Sequence, residues 1–276
     1  MDRRLTPANA RVAHVSLRGE VSAGRFVEGT PARIALPVVD LLRAPGGTRE
    51  RQLLLGARVL VLERAEGHAF VQAERDGYVG YVAEAALGPD AEVTHRVAVP
   101  ATHLYPAADL KRHEVARLSC LSELRITGTS GQFSETAAGL FVPTIHLQPL
   151  AERADDPVAV AEGFLGTPYL WGGNSRDGID CSGLVQVSLW ACGLPCPGDS
   201  DLQAGSVGRA LEEGEGLQRG DLLFWRGHVA MVVDGTRLIH ANGHAMAVSY
   251  EGIEAAIARI LAAGEGPVTA RRRPVG

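Results

Sequence analysis

Aromatic residues make up only 5% of this 276-residue chain, so its cores must be filled mostly by Val, Leu, Ile and Ala. No apolar run approaches the ~20 residues that a helical membrane crossing needs; the longest clean strand-like run is His228-Val-Ala-Met-Val-Val233. The chain has no long basic stretch and a net charge of −5, so neither nucleic acid nor membrane is an expected partner. The first ten residues carry charges but lack the apolar segment of a secretory leader. A cytoplasmic protein is therefore expected, with a periplasmic or extracellular one as the alternative. Four cysteines, Cys120, Cys181, Cys192 and Cys196, are too few for a disulfide framework in so long a chain, and reduced thiols are expected. Hydrophobic residues at 46% and charged residues at 21% exclude a wholly disordered, collagenous or coiled-coil chain.

Glycine is plentiful, with 33 residues, which implies many turns. The length suggests two domains or a few small ones. The 17 acidic and 17 basic residues of 1–152 cancel, whereas 153–276 holds 15 acidic and 10 basic ones, a hint of two units with different work. Residues 1–34 read as an extended arm or short helix. Between 35 and 90, Leu53-Leu-Leu55, Arg58-Val-Leu-Val-Leu62, Ala69-Phe-Val-Gln72 and Tyr78-Val-Gly-Tyr-Val82 read as strands. They are broken at Gly56, Glu66-Gly67 and Asp76-Gly77, which predicts a small barrel. The pattern returns about 60 residues later over 91–152: Val39–Pro45 is echoed by Ala101–Pro106, Arg58–Leu62 by Leu121–Ile126, and Gly80–Val82 by Gly139–Val142. The shared order points to a duplicated barrel. The repeat resembles the bacterial SH3 domain.

From 153 onward the pattern is α+β: helices first, then an antiparallel sheet. Asp155 or Asp156 can cap a helix opening at Pro157. A second helix is expected near 181–192, then strands at 221–226, 228–233, 237–241 and 246–249. Ile253, Ala256, Ile257, Ile260 and Leu261 fit one face of a closing helix. Arg271-Arg-Arg273 reads as the solvated end of a last strand.

The chemistry centres on Cys181. Gly178 and Asp180 precede it and Leu184, Val185, Val187 and Leu189 follow, which puts the thiol in the first turn of a buried helix. The positive end of the helix dipole is expected to lower its pKa. Ser182 and Gly183 leave room for a substrate carbonyl. A nucleophilic cysteine needs a base and the base an orienting group. His228 opens one strand and His240 closes the next, and a turn at Asp234-Gly235 makes them cross-strand neighbours. His228 is the expected base and His240 its orienter; His244 could take the place of His240. The competing readings are an inert buried Cys181, structural histidines, and a zinc cluster of Cys181, Cys192, Cys196 and His228, for which a Cys-x3-Cys pair is weak evidence. Cys192 and Cys196 read as structural and Cys120 as a barrel core residue.

Gly166-Thr-Pro-Tyr-Leu-Trp-Gly-Gly173, Asp180-Cys-Ser-Gly-Leu-Val-Gln186, Gly220-Asp-Leu-Leu-Phe-Trp225, Gly227-His-Val-Ala-Met-Val232 and Leu238-Ile-His-Ala241 occur in order. This series resembles the NlpC/P60 family of papain-like cysteine peptidases and covers 155–276. The resemblance implies a papain-like catalytic domain over 153–276 behind two small all-β SH3-like barrels. It makes Cys181, His228 and His240 the catalytic residues, with no cofactor and no metal. It places Tyr169 over the nucleophile and makes Asp180 the carboxylate that holds a free N-terminal L-alanine. Ser182, Ser200 and Trp171 become substrate contacts, with Glu50 and Tyr78 from the first SH3-like domain. Gly198 departs from the arginine common after that proline, which changes the wall around Ser200. The implied partner is a murein peptide, L-Ala-γ-D-Glu-diamino acid, cleaved before the diamino acid during wall-peptide recycling. The alternatives are an exported hydrolase of polymeric wall, a catalytically inactive wall-peptide binding protein, and an acyl transferase, for which no long apolar pocket is evident.

Overall fold

The protein is described by a computed structural model over residues 1–275. It forms two units, Met1–Leu150 and the remainder from Ala151.

The first unit is all-β apart from short 3-10 turns. Its main sheet has seven strands: β1 Thr30–Ile34, β2 Val38–Leu42, β3 Arg49–Leu54, β4 Arg58–Ala65, β5 His68–Ala73, β6 Val79–Ala83 and β7 Leu87–Pro89. Their spatial order is β3-β2-β6-β5-β4-β1-β7. Alternation in β4 and β5 sends Val59, Val61, Ala69 and Val71 into a core with Ile34, Leu41, Tyr78 and Val82. Glu66 and Gly67, both with positive φ (53° and 73°), form the two-residue turn that joins these strands. The barrel begins earlier than the expected arm boundary at 34, because β1 pairs with both β4 and β7. The preceding residues are no loose arm. Val12 packs with Leu62, Phe70 and Val79, and Arg11 clamps the buried Glu63.

The duplication is visible in the backbone. The 3-10 turn Glu84–Ala86 leading into β7 recurs 60 residues on as Thr144–His146 leading into Leu147–Pro149. The second copy is more fragmented, with its strands in two-stranded and three-stranded sheets around Val97, Leu104, Leu118, Leu124 and Val142. The copies abut at Gly56, which has φ +83° and where a Cβ would lie 2.4 Å from the Glu123 carbonyl oxygen. Only glycine fits there.

The second unit contains α1 Pro157–Glu162, α2 Cys181–Ala191, α3 Ser200–Ser206 and α4 Ile253–Ala262. Its six-stranded sheet is built from β8 Arg209–Ala210, β9 Leu222–Trp225, β10 His228–Val232, β11 Arg237–Asn242, β12 Ala247–Gly252 and β13 Ala270–Arg273. The order is β8-β13-β9-β10-β11-β12. Asp156 caps α1 by accepting from Val158 N at 2.9 Å, with Pro157 in the first turn. Every residue of α2 from Cys181 to Leu189 is buried, as expected of a helix without a polar face. It packs on β10 and β11. Ile253, Ala256 and Ile260 of α4 bury against Leu223, Trp225, Ala230, Val232 and Leu238, each isoleucine contributing about 1.5–3 kcal/mol. Leu261, expected on that face, is 55% exposed, because it lies a further ~100° around the helix from Ile260.

The Arg271–Arg273 end is not solvated as expected. Arg273 reaches the buried carboxylate of Asp221 at 2.7 Å and Glu215 at 2.6 Å, while Arg272 donates to the carbonyls of Ala204, Val207 and Gly208. The final strand is thereby stitched to the chain after α3.

Candidate active site

Cys181 is the first residue of α2, and the residue before it organises the turn. Asp180 Oδ1 accepts from Gly183 N at 2.7 Å and from Ser182 Oγ at 2.9 Å; its Oδ2 accepts from Gly172 N at 2.8 Å. One carboxylate thus caps the helix and ties the glycine-rich loop to it. The Ser182 hydroxyl, expected as a substrate contact, is spent on this cap and is buried. Gly183 is obligatory, since a Cβ there would lie 2.5 Å from the Gly173 carbonyl oxygen.

Cys181 is 5% exposed, and the backbone N–H of Val229 stabilises its thiolate, which brings the sulfur to the start of β10. His228 is placed there by a two-residue turn in which Trp225 pairs with His228 and Gly227 takes a positive φ of 78°. His228 Nε2 lies 2.9 Å from His240 Nδ1. The β10–β11 ladder pairs Met231 with Ile239 and Val232 with Leu238. Continued, that register sets His240 across from Ala230 rather than His228. The two imidazoles therefore meet diagonally along one face, not directly opposite as the turn count suggests. His240 occupies the orienting position, with His244 opposing its protonation electrostatically.

Two residues absent from the sequence reading extend the series. Glu251 of β12 places Oε2 3.2 Å from His240 Nε2. Arg259 of α4 grips that carboxylate with bonds of 2.8 and 2.7 Å. The ladder register could have shown the first: Ser249 pairs with His240, and Glu251 lies two residues farther along the same strand. Gln203 of α3 was also missed. It is fully buried and donates through Nε2 to the Ser182 carbonyl at 2.9 Å and the Pro197 carbonyl at 3.1 Å, fixing α3 and the first turn of α2 together. The signal is a lone amide in the Ser200-Asp-Leu-Gln203 run.

Burial pushes the Cys181 thiol up to about 12, the Asp180 charge adds to this, and the N–H groups of Val229, Ser182 and Cys181 itself oppose it. This corrects the expectation of a lowered thiol. The helix end favours the thiolate, but desolvation beside a fixed carboxylate outweighs it. Burial also pulls His228 down to about 3, with His240 adding to the effect. His240 falls to about 4, again through burial first, with Glu251 opposing. Burial thus favours the uncharged form of both groups. Tyr169 is pushed up to about 12, chiefly by burial, with Cys181 and Asp180 adding to the effect electrostatically. Its N–H is held by the Met246 carbonyl at 2.9 Å.

The structure brings together Cys181, His228, His240, Tyr169, Asp180 and Ser182. Ser200 opens α3 and is buried. Trp171 is 62% exposed on the glycine-rich loop. Glu50 and Tyr78 belong to the first unit. Glu50 is ion-paired with Arg3, and Tyr78 is 2% exposed in the barrel core with the Arg51 guanidinium 5.2 Å from its ring centre. Among the described residues, no three His, Cys, Asp or Glu side chains are arranged to hold a metal.

Comparison with known proteins agrees with this geometry. Residues 166–259 match the NlpC/P60 family and residues 41–87 the bacterial dipeptidyl-peptidase Sh3 domain. A γ-D-glutamyl-L-lysine dipeptidyl-peptidase of Bacillus cereus is 31% identical over 225 residues, covering 70% of this chain and 67% of its own. The chain belongs to the NlpC/P60 family. A Bacillus subtilis protein of the same name is 28% identical over 214 residues, covering 70% of this chain and 72% of its own. The crystal structure of an NlpC/P60 family protein from Bacillus cereus superposes with a TM-score of 0.75 at 22% identity, covering 90% of this chain and 100% of that one. The fold is thus an NlpC/P60 catalytic domain with SH3-like all-β structure before it. As an NlpC/P60 member the chain is a cysteine peptidase.

Proposed function

We propose that this NlpC/P60 peptidase cleaves murein peptides that begin with a free L-alanine, hydrolysing the bond between γ-D-glutamate and the next diamino acid. We further propose that it works in the cytoplasm, recycling wall peptides. The chemistry is carried by one observation: a buried thiol at a helix N-terminus that faces the start of β10, where the imidazole of His228 is hydrogen-bonded through Nε2 at 2.9 Å to a second imidazole. The narrower substrate is supported by the Asp180 charge next to the nucleophile, which suits an ammonium group, and by the names of the two Bacillus relatives.

In the reaction His228 takes the Cys181 proton as sulfur attacks the γ-glutamyl carbonyl. The oxyanion is received by the Cys181 N–H at the open end of α2, with the Tyr169 hydroxyl beside it. The imidazolium returns its proton to the departing amine of the diamino acid. Water, deprotonated by His228, then hydrolyses the thioester and releases L-Ala-γ-D-Glu. Neutral resting groups suit this sequence, since the proton moves only when attack begins.

Mass spectrometry of products tests the reading. The wild type and Cys181→Ala are incubated with L-Ala-γ-D-Glu-meso-diaminopimelate, its L-lysine analogue, the N-acetylated peptides and intact sacculi. Cleavage of only the free-amine peptides, lost in Cys181→Ala, is expected. Cleavage of sacculi would replace the recycling role with wall hydrolysis, and activity retained in Cys181→Ala would remove the nucleophile assignment.

A further inference from the structure

The two active-site imidazoles have four ring nitrogens, and the geometry dictates where their protons must sit. When both rings are neutral, each carries one proton. His228 Nε2 and His240 Nδ1 share one hydrogen bond at 2.9 Å, so one of them donates. If His240 Nδ1 donated, His228 would carry its own proton on Nδ1, the nitrogen left to meet the thiol, and could not act as a base. The productive arrangement is the reverse: His228 Nε2–H donates to His240 Nδ1. His240 must then carry its proton on Nε2.

That nitrogen is fully buried and makes no aligned hydrogen bond, yet Glu251 Oε2 stands 3.2 Å away. Glu251 is itself fixed by the two-pronged grip of Arg259. Arg259 and His244 also act on His240, both opposing its protonation, and His228 faces its other nitrogen. None of these offers a carboxylate. A carboxylate favours a proton on the nitrogen that faces it, as second-layer carboxylates do for histidines in metal sites.

We infer that Glu251 is a positioning residue: its carboxylate holds His240 as the Nε2–H tautomer and so leaves His228 Nδ1 bare to accept the Cys181 proton. The series runs Arg259–Glu251–His240–His228–Cys181 across α4, β12, β11, β10 and α2. Glu251 touches neither substrate nor the reacting atoms. The inference rests on Cys181 and His228 being the reacting pair.

Nitrogen-15 NMR of the histidine rings in the intact wild-type protein at pH 7.5 reads the tautomers without reference to turnover. The proton is expected on Nε2 in both His228 and His240; a proton on His240 Nδ1 would overturn the inference. Glu251→Ala is expected to shift the His240 tautomer and to lower kcat by about 10- to 100-fold, the usual scale for losing such a partner, with KM changed less than about twofold. Glu251→Gln keeps an acceptor at the same place and should recover most of the rate. A purely structural role would instead lower the Tm of Glu251→Ala while leaving the tautomer and kcat as in the wild type, and that result would refute the assignment. Failure of the underlying reading looks different: Cys181→Ala would then still hydrolyse substrate, whatever Glu251 does.

Discussion

The Nε2 atom of His228 lies 2.9 Å from the Nδ1 atom of His240, with the ring planes 59° apart. The contact is diagonal across two strands, so both the ladder register and the hairpin at Asp234–Arg237 are needed to make it. His240 is buried at 1% exposure, and among the described residues it is the one hydrogen-bond partner of this nitrogen.

Replacing His240 with Ala is therefore expected to leave His228 free to rotate and to choose the wrong tautomer. By analogy with other nucleophile–base–orienter sites, kcat should fall by about 10²- to 10⁴-fold. His240→Asn, which can still accept at a similar place, should retain more. Steady-state hydrolysis of the free-amine murein peptide checks this, with circular dichroism confirming that both variants fold.

Much of this site was legible in the sequence because its parts are local. Asp180 before Cys181, followed by small residues and an apolar run, encodes a capped helix N-terminus, and Gly227-His228 encodes a strand start. Position along the chain also places His240 on the neighbouring strand. Glu251 and Gln203 were not legible in the same way. Each is a single polar residue whose meaning depends on a register or a helix packing set hundreds of atoms away. The sign of the thiol shift was misjudged for a related reason. A helix dipole can be read from a few residues, but the desolvation that opposes it depends on how the rest of the domain packs around the first turn of α2. In the first unit, the Glu66-Gly67 turn marked its hairpin, whereas the arm boundary failed because Pro31 and the charged Arg33 disguise β1 as loop.

Acid should weaken the fold before the carboxylates titrate. His228 and His240 are pulled down to about 3 and about 4 from an ordinary value near 6.5. A histidine lowered in the folded state binds fewer protons than in the unfolded chain, so its contribution is complete above pH 6.5 and is lost as pH falls toward the lowered value. Carboxylates held low, such as Glu63 and Glu251 by their arginines, add their own losses only below about pH 4.5. A series of melts is expected to show Tm declining already between pH 6.5 and 4.5, with that first part reduced in His228→Gln. A flat Tm over this interval would contradict the buried neutral pair.

The link between Arg273 and Asp221 should be worth more than a surface ion pair. Asp221 is 1% exposed, accepts from Arg273 Nε and one terminal nitrogen at 2.7 Å each, and also accepts from Gln218 N. Arg273→Met would strand the carboxylate in the interior and is expected to cost about 3–5 kcal/mol. The double variant Arg273→Met/Asp221→Asn removes the stranded charge and should recover part of the loss. Urea denaturation of the three proteins measures it. Equal stability of wild type and Arg273→Met would show that the final strand is held by its backbone ladder alone.

The reactivity of Cys181 should separate this site from one that rests as a thiolate–imidazolium pair. With the thiol pushed up to about 12 and His228 pulled down to about 3, both groups are expected to be uncharged at neutral pH, and the sulfur to be a poor nucleophile until a substrate carbonyl is in place. Alkylation by iodoacetamide follows the thiolate fraction. Its rate at Cys181 is therefore expected to be low at pH 6 and to climb without a plateau through pH 9, with Cys181 identified by peptide mass spectrometry. A resting ion pair would give the opposite profile, a fast rate already level between pH 5 and 7. Asp180→Asn sharpens the test. The carboxylate is the largest charge opposing the thiolate, so its loss should raise the alkylation rate at pH 8, while asparagine, an equally good capping residue, keeps α2 capped.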